Sequence, residues 1–395
     1  MMMESNNSRD KGYTFTYTEF DDIRPLHDSE VKESIELLLN DKMFKAVIEP
    51  VVAPITWDEF SKQMRELNSI YEFQKKVIYN LILKFIKNNV DELELLNPRE
   101  IDLHKSHTYI SNHRDIILDA GLLNISLEEQ GYQTTEIAIG DNLLIYPWIT
   151  TIVRLNKSFI VKRNIPVRQI LEASQHLSKY MHKTISDKKQ SIWIAQREGR
   201  AKDSNDRTQA SMLKMLTLAD RKDPIKSLKA LNIVPLSISY EYDPCDFLKA
   251  QEFQLKRDIE DYKKSKQDDL INMMTGIQGY KGNIYFRVCK PLNEEIDSIS
   301  TNNKATLLQD VADLIDKEIF KNYEIYTINY IAYDILNNSK RFDDKYNPDE
   351  KNSFVEYVNK QVDKIEIENK DVDYLRTKIV EMYANILINH LSVQE

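Results

Sequence analysis

The chain has 395 residues, 42% of them hydrophobic and 30% charged, a globular balance that excludes a wholly disordered chain and suits one large or two smaller domains. Eight glycines disfavour Gly-rich phosphate loops, propellers and collagen, and two cysteines, Cys245 and Cys289, are too few for a disulfide framework or a thiolate zinc site. The net charge of −9 is unevenly spread: Arg154 to Lys229 carries 18 Lys and Arg against 7 Asp and Glu, a local +11, which points to an anion handled there.

Residues 1–12 (MMMESNNSRDKG) read as a disordered leader without the apolar core of a signal peptide, and no run reaches the ~18–20 apolar residues of a spanning helix. Residues 13–100 read as a helical N-terminal subdomain. Ser29 is a candidate N-cap for EVKESIELLL, Thr56-Trp57-Asp58-Glu59 has capping-box spacing, and Ile70–Ile86 recurs apolar at helical spacing. From 101 to 295, β-rich runs at 108–111, 135–139, 158–161, 191–195, 232–240 and 283–288 alternate with helical patterns over 166–183 and 207–218. This predicts an α/β domain, a sheet with helices over its faces, whose ligand sites gather where the strands exit. Residues 296–395 turn helical again at 305–320, 324–336 and 374–391, with a polar connector at 337–353. The helical ends either pack on the α/β core or mediate association.

Four polar clusters fall at strand ends. In 108–119 (TYISNHRDIILD) a β-rich run gives way to Asn112, His113, Arg114 and Asp115, then to a helical run reaching Asp119. A His beside carboxylates can act as a general base, because the acid fixes the imidazole tautomer and stabilises the imidazolium; a lone His in a turn is commonly structural. The His-Arg-Asp run is no kinase loop, since Ala120 stands where that loop needs Asn and no Gly-rich loop precedes it. His104 and His107 lack a third ligand at metal-site spacing, so no metal site is read. In 191–208 an apolar strand runs into Arg197, Glu198, Gly199, Arg200 and Lys202. Gly199 permits a turn closed to other residues, and the flanking cations are expected to converge on a phosphate, which guanidinium groups bind bidentately. In 159–166 a strand ends in Lys162 and Arg163. In 233–241 Pro235 stands near the start of an apolar strand, which implies an edge strand or the first residues of one.

The order of these clusters resembles the glycerolipid acyltransferase family, which includes the glycerol-3-phosphate and 1-acylglycerol-3-phosphate acyltransferases. That family shows a His with an Asp shortly after, a strand ending in Arg, a Glu-Gly-x-Arg-type loop and an apolar strand containing Pro. Here these are Asn112-His113 with Asp119, Val161-Lys162-Arg163, Glu198-Gly199-Arg200 and Val234-Pro235-Leu236, and 283–292 looks like the family's closing strand. The resemblance spans roughly 104–292. Two departures stand out. The family's Asp position is held by Leu118, so either Asp119 orients His113 across a longer turn or Asp115 takes the role. The Glu-Gly loop is one residue shorter than in some members, with Ala201 where Ser is common.

The resemblance implies an acyltransferase-type mixed sheet flanked by helices, and a reaction in phospholipid biosynthesis. His113 takes a proton from an acceptor hydroxyl that attacks an acyl thioester, and Asp119 orients the imidazole. Arg163, Arg200 and Lys202, with Lys162 beside them, hold the phosphate of glycerol-3-phosphate or 1-acylglycerol-3-phosphate. Glu198 accepts from another hydroxyl, Gly199 shapes the loop, and Asn112, Asp115 and Pro235 line or support the site. No metal or cofactor is implied beyond acyl-CoA or acyl-ACP as co-substrate. The implied partners are acyl carrier protein or a coenzyme A thioester and an anionic membrane surface, with the chain cytoplasmic and peripheral on the inner face. No nucleic acid is expected, since aromatics do not interleave with the cations over 197–229. The apolar segment 143–155 (LLIYPWITTIVRL) reads as core, or as the lining of an acyl groove or a lipid-interface segment. Alternatives are a different lysolipid or aminolipid acceptor, and a non-catalytic phosphate- or lipid-binding scaffold.

Overall fold

The computed structural model describes residues 18–97, 101, 102, 104–299 and 306–394; the leader at 1–12 and the expected helix start at Ala305 lie outside them. The N-terminal part runs through α1 (Val31–Asn40), α2 (Lys42–Val52) and α3 (Trp57–Glu66). It continues through α4 (Ile70–Phe73), a π-helical turn (Gln74–Ile78) and α5 (Tyr79–Ile86). Thr56 and Glu59 form the expected capping box at α3, whereas Ser29 sits inside a 3-10 turn (Asp28–Glu30) and caps nothing.

Next come β1 (Glu92–Leu96), β2 (Thr108–Ser111), α6 (Leu118–Glu129), β3 (Glu136–Gly140), α7 (Pro147–Leu155), β4 (Ser158–Val161) and α8 (Val167–Ser186). They are followed by β5 (Ile192–Ala195), α9 (Ala210–Leu216), α10 (Pro224–Ala230), β6 (Ile233–Tyr240), α11 (Asp246–Asp258), α12 (Lys266–Gln278) and β7 (Asn283–Val288). The chain closes with α13 (Asn293–Ser298), α14 (Leu307–Lys321), α15 (Thr327–Leu336), α16 (Pro348–Asp363) and α17 (Val372–Leu391).

The seven strands form one mixed sheet in the order β1-β7-β6-β2-β5-β3-β4, flanked by helices. β6, β2, β5, β3 and β4 are parallel, while β7 runs antiparallel to β6 and carries β1 parallel to itself. The parallel strands are short apolar runs because both faces are covered. On one face α5 and α6 bring Tyr79, Ile82, Leu118 and Leu122 against Tyr109, Trp193, Val234 and Phe286. On the other, α8, α9, α10 and α14 bring Leu177, Met181, Leu213, Leu228 and Ile315 against Ile110, Ile192 and Ile233. Both helical ends therefore pack on the α/β core. α1–α3 keep a core of their own around Phe44 and Phe60, and α15–α17 another around Phe354 and Tyr383.

Two details depart from the sequence reading and two narrow it. β1 lies inside the stretch read as helical: its Glu-Leu alternation gives an edge strand with Leu95 turned inward. α16 starts within the supposed connector, where Asn347 caps the helix, Pro348 takes its first position and Glu350 closes the capping box. Segment 143–155 is mostly α7: Leu155 is fully buried in the core of the N-terminal helices, Trp148 and Ile152 pack against that core with Trp148 5.8 Å from the Phe44 ring, and most of the rest is half-buried. Pro235, the third residue of β6, meets the expectation of a place at the start of a strand rather than on an edge, since β6 lies between β7 and β2. Cys289 N donates to Pro235 O at 3.0 Å, but proline has no N–H to return, and the β6–β7 register stops at Leu236↔Val288.

Candidate active site

His113 leaves the carboxyl end of β2, between β5 and β6. Its strand is tied on both sides. Ser111 O accepts from Gln196 N at 2.8 Å, and Ser111 Oγ accepts from Trp193 Nε1 at 3.0 Å. The fully buried Asn112 donates through Nδ2 to Ile238 O (2.8 Å) and accepts at Oδ1 from Ile238 N (2.9 Å). A side chain thus continues the β2–β6 ladder at the point where the β2 backbone turns off.

His113 meets the Trp193 ring edge-on at 5.7 Å, and its Nδ1 lies 2.7 Å from Asp119 Oδ2. Asp119 is wholly buried in the first turn of α6, where the positive end of the helix dipole favours a carboxylate. The same oxygen accepts from the backbone N–H of Arg114 (2.7 Å) and of Asp115 (3.1 Å). A carboxylate can only accept, so it keeps the proton on Nδ1 and leaves the Nε2 lone pair to take another. Asp115 is occupied otherwise. Its Oδ1 accepts from Ile117 N (2.8 Å) and Leu118 N (2.7 Å), starting the helix that carries Asp119. Of the two carboxylates, Asp119 is the one bonded to His113.

The surroundings of this pair are buried and polar. Burial, then the Asp119 charge, pushes the Asp115 carboxyl above its usual range, against its backbone donors and Arg200. Burial and the Asp119 and Asp115 carboxylates push the Tyr240 phenol upward. Arg114 points away from the His, with Nη2 2.7 Å from Asp206 Oδ2 and its guanidinium 5.7 Å from the Tyr323 ring centre. Tyr323 donates to the same Asp206 oxygen at 2.9 Å. The loop after β5 and the end of α14 are thereby locked to the residue beside His113.

The expected convergence of cations does not occur. Gly199 takes φ +66°, and the loop reverses there: Glu198 faces solvent while Arg200 is buried. Arg200 Nη2 donates to Asn272 Oδ1 on α12 at 2.8 Å. One turn further along α12, Gly276 passes so close to the Asp115 carboxylate that a Cβ would overlap it. α12 therefore holds Arg200 and Asp115 in one cluster. Lys202 turns instead to Glu252 on α11 at 2.8 Å, and burial pulls its ammonium down to about 8 against that carboxylate. Arg163 Nη1 lies 3.4 Å from Glu198 Oε1, and its backbone N–H donates to Asp141 Oδ1 at 3.0 Å. Lys162 pairs with Asp22. Each cation follows its own partner, and those partners come from four different parts of the chain.

Several residues of this region carried no functional reading in the sequence. Gln196, fully buried at the end of β5, has neither amide atom within hydrogen-bond distance of a partner. Asp206 had a signal, as an acid within a basic loop; Asn272 and Gly276 had none. Among the described residues, no three His, Cys, Asp or Glu side chains are grouped to hold a metal ion.

No protein-family model matches the sequence, and no curated protein matches it. Among solved structures, the chain is similar to the 1-acyl-sn-glycerophosphate (LPA) acyltransferase, PlsC, from Thermotoga maritima. The identity is 11% and the TM-score 0.34, over 74% of this chain and 96% of that one. Among the described residues, no helix is long and apolar enough to cross a membrane.

Proposed function

We propose that this chain is an acyltransferase that moves a fatty acyl group from acyl-CoA or acyl-ACP to a hydroxyl of glycerol-3-phosphate or 1-acylglycerol-3-phosphate. The observation that carries the reading is the buried Asp119 carboxylate on His113 Nδ1 at a strand exit. It falls inside the ordered motifs that resemble the glycerolipid acyltransferases.

The acceptor hydroxyl gives its proton to His113 Nε2 as its oxygen attacks the thioester carbonyl carbon. The C–S bond then breaks, the imidazolium returns the proton to the leaving thiolate, and an ester and a free thiol result. Asp119 offsets the positive imidazolium while it lasts; general-base help of this kind is worth ~10²–10⁴ in rate. Arg200, whose Nη1 has no hydrogen-bond partner among the described residues, holds the acceptor phosphate and supplies position. Arg163, Lys162 and Lys202 stay with Glu198, Asp22 and Glu252 and add only their field, and Glu198 accepts from a second acceptor hydroxyl. No further cofactor enters the reaction.

The test is thioester consumption by the purified protein with glycerol-3-phosphate and 1-acylglycerol-3-phosphate as separate acceptors, alongside His113→Ala. Turnover with one acceptor that falls to background in the variant is expected. Equal rates for the two proteins, or no turnover with either acceptor, would refute the reading.

A further inference from the structure

α12 is built inside out. Among its described side chains only Asn272 and Gly276 are buried, facing Arg200 and Asp115, while Ile271 and Met274 are each 44% exposed. Leu270, Met273 and Ile277 are half-buried, and none of these five apolar residues belongs to any of the four hydrophobic cores. A surface helix normally turns its apolar stripe to the core, and most of its stability in a protein comes from that packing. The inner face of α12 is polar instead, so few apolar contacts oppose its departure.

Its two ends are held unequally. At the carboxyl end Lys281 N donates to Asn89 O (2.8 Å), and the fully buried Lys281 ammonium donates to Ile277 O (3.3 Å) and to Gly279 O. At the amino end the connector from Lys256 to Ser265 is exposed except at Tyr262 and Lys264. Lys264 pairs with Asp269 at 2.9 Å, a part-exposed ion pair of the kind that contributes little. Between the ends, two contacts close the helix onto the site. Asn272 Oδ1 accepts from Arg200 Nη2 at 2.8 Å, and Asn272 O accepts from the buried Cys245 thiol at 3.3 Å. The Arg200 guanidinium beneath is 6% exposed, and its Nη1 has no hydrogen-bond partner among the described residues. An anion in solution reaches that fork only when α12 moves.

We propose that α12 is a lid. It pivots on its Lys281 end, Asn272 is the latch, and opening bares the Arg200 fork to an anion such as the phosphate of an acceptor. The identity of that anion rests on the acyltransferase reading; the opening rests on the helix and its contacts.

The two cysteines report on the lid without any substitution. Both are buried, Cys245 beneath α12 and Cys289 against α14, where its thiol lies 3.6 Å from Glu318 O. The full-length protein is pulsed with a maleimide and each cysteine is read by peptide mass spectrometry. Cys245 is expected to label at least about tenfold faster than Cys289, at a rate that urea below the unfolding transition hardly changes, because a local opening exposes little surface. Hydrogen exchange on the same samples should place the opening in 266–278 and not in 246–258. Asn272→Ala loses a hydrogen bond to a charged group, so it is expected to speed Cys245 about tenfold and leave Cys289 unchanged. Saturating inorganic phosphate, which takes the fork from Asn272, is expected to raise Cys245 labelling severalfold. Equal labelling of the two cysteines, equal exchange in the two helices, or labelling that phosphate does not raise overturns the proposal. So does an Asn272→Ala protein whose Cys245 rate is unchanged, or in which both cysteines speed up alike. A lid that opens as described, in a protein with no thioester turnover, supports the proposal and removes the acyltransferase reading instead.

Discussion

Replacing Asp119 with Asn tests the site at the point where it is most specific. The change keeps the shape of the side chain and removes its charge. In the structure a single oxygen, Oδ2, accepts from His113 Nδ1 and from two backbone N–H groups, at 2.7, 2.7 and 3.1 Å. A neutral amide oxygen serves three donors poorly, and the amide nitrogen cannot accept at all. When His113 becomes an imidazolium, a carboxylate 2.7 Å away attracts it by ~6 kcal/mol at an effective dielectric of ~20, which is a ceiling. A retained neutral hydrogen bond returns about 1 kcal/mol of that. The expected loss is therefore ~10²–10⁴ in kcat, or about 3–5 kcal/mol of transition-state stabilisation, with KM little changed.

The assay is single-substrate turnover of the thioester at saturating acceptor, with thermal unfolding recorded on the same samples. Asp115→Asn is the control, because Asp115 caps α6 and does not touch His113. It should lose about 1 kcal/mol of stability and less than about tenfold in rate. An Asp119→Asn protein that keeps a third of its rate, or a folded Asp115→Asn protein that loses as much as Asp119→Asn, would refute the assignment of the two carboxylates.

Asn112→Ala removes both bonds to Ile238 and leaves a buried N–H and C=O unpaired, a loss of ~2–5 kcal/mol that a urea titration reads directly. A change under about 1 kcal/mol would mean that the ladder closes without the side chain. Gly276→Ala, in a helix interior, would ordinarily stabilise by up to ~1 kcal/mol; here the new methyl overlaps Asp115, so a lower melting temperature is expected. Asp246→Asn addresses pH. Burial holds the Asp246 carboxyl up at about 7, where it meets the hydroxyls of Tyr357 (2.6 Å) and Tyr383 (2.9 Å). A folded-state value raised above the unfolded ~3.9 gives stability that is full below pH ~4 and is lost as pH rises through about 7. Asn imitates the protonated acid, so the variant should show a flatter dependence of melting temperature between pH ~5 and ~7; an unchanged slope would assign it to other groups.

The parallel strands were legible because a strand covered on both faces must be a short apolar run bounded by polar residues, as SFIV and SIWIA are. β1 was not, since ELELL continues the apolar spacing of the helix before it and becomes a strand only by finding β7 191 residues later. His113 was visible as a polar residue at a strand exit. Which carboxylate serves it was not, because spacing says nothing about where a side chain spends its hydrogen bonds. The two N–H groups of Ile117 and Leu118 decide the matter by engaging Asp115.

The basic segment shows the limit of charge counting. Its local +11 suggests a continuous cationic surface, yet the acids of the remaining chain fold back onto it: Lys162 meets Asp22, Lys183 meets Glu19, Lys202 meets Glu252 and Lys229 meets Asp297. Within the segment, Arg200 turns inward to Asn272 and Arg163 meets Glu198. A polyanion such as RNA binds a run of adjacent, unneutralised cations and shows a steep salt dependence in proportion to their number. What this arrangement offers is a few cations near one apolar helix turn and one buried guanidinium near the His113 helix. That distribution lacks the run of adjacent free cations that a polyanion needs.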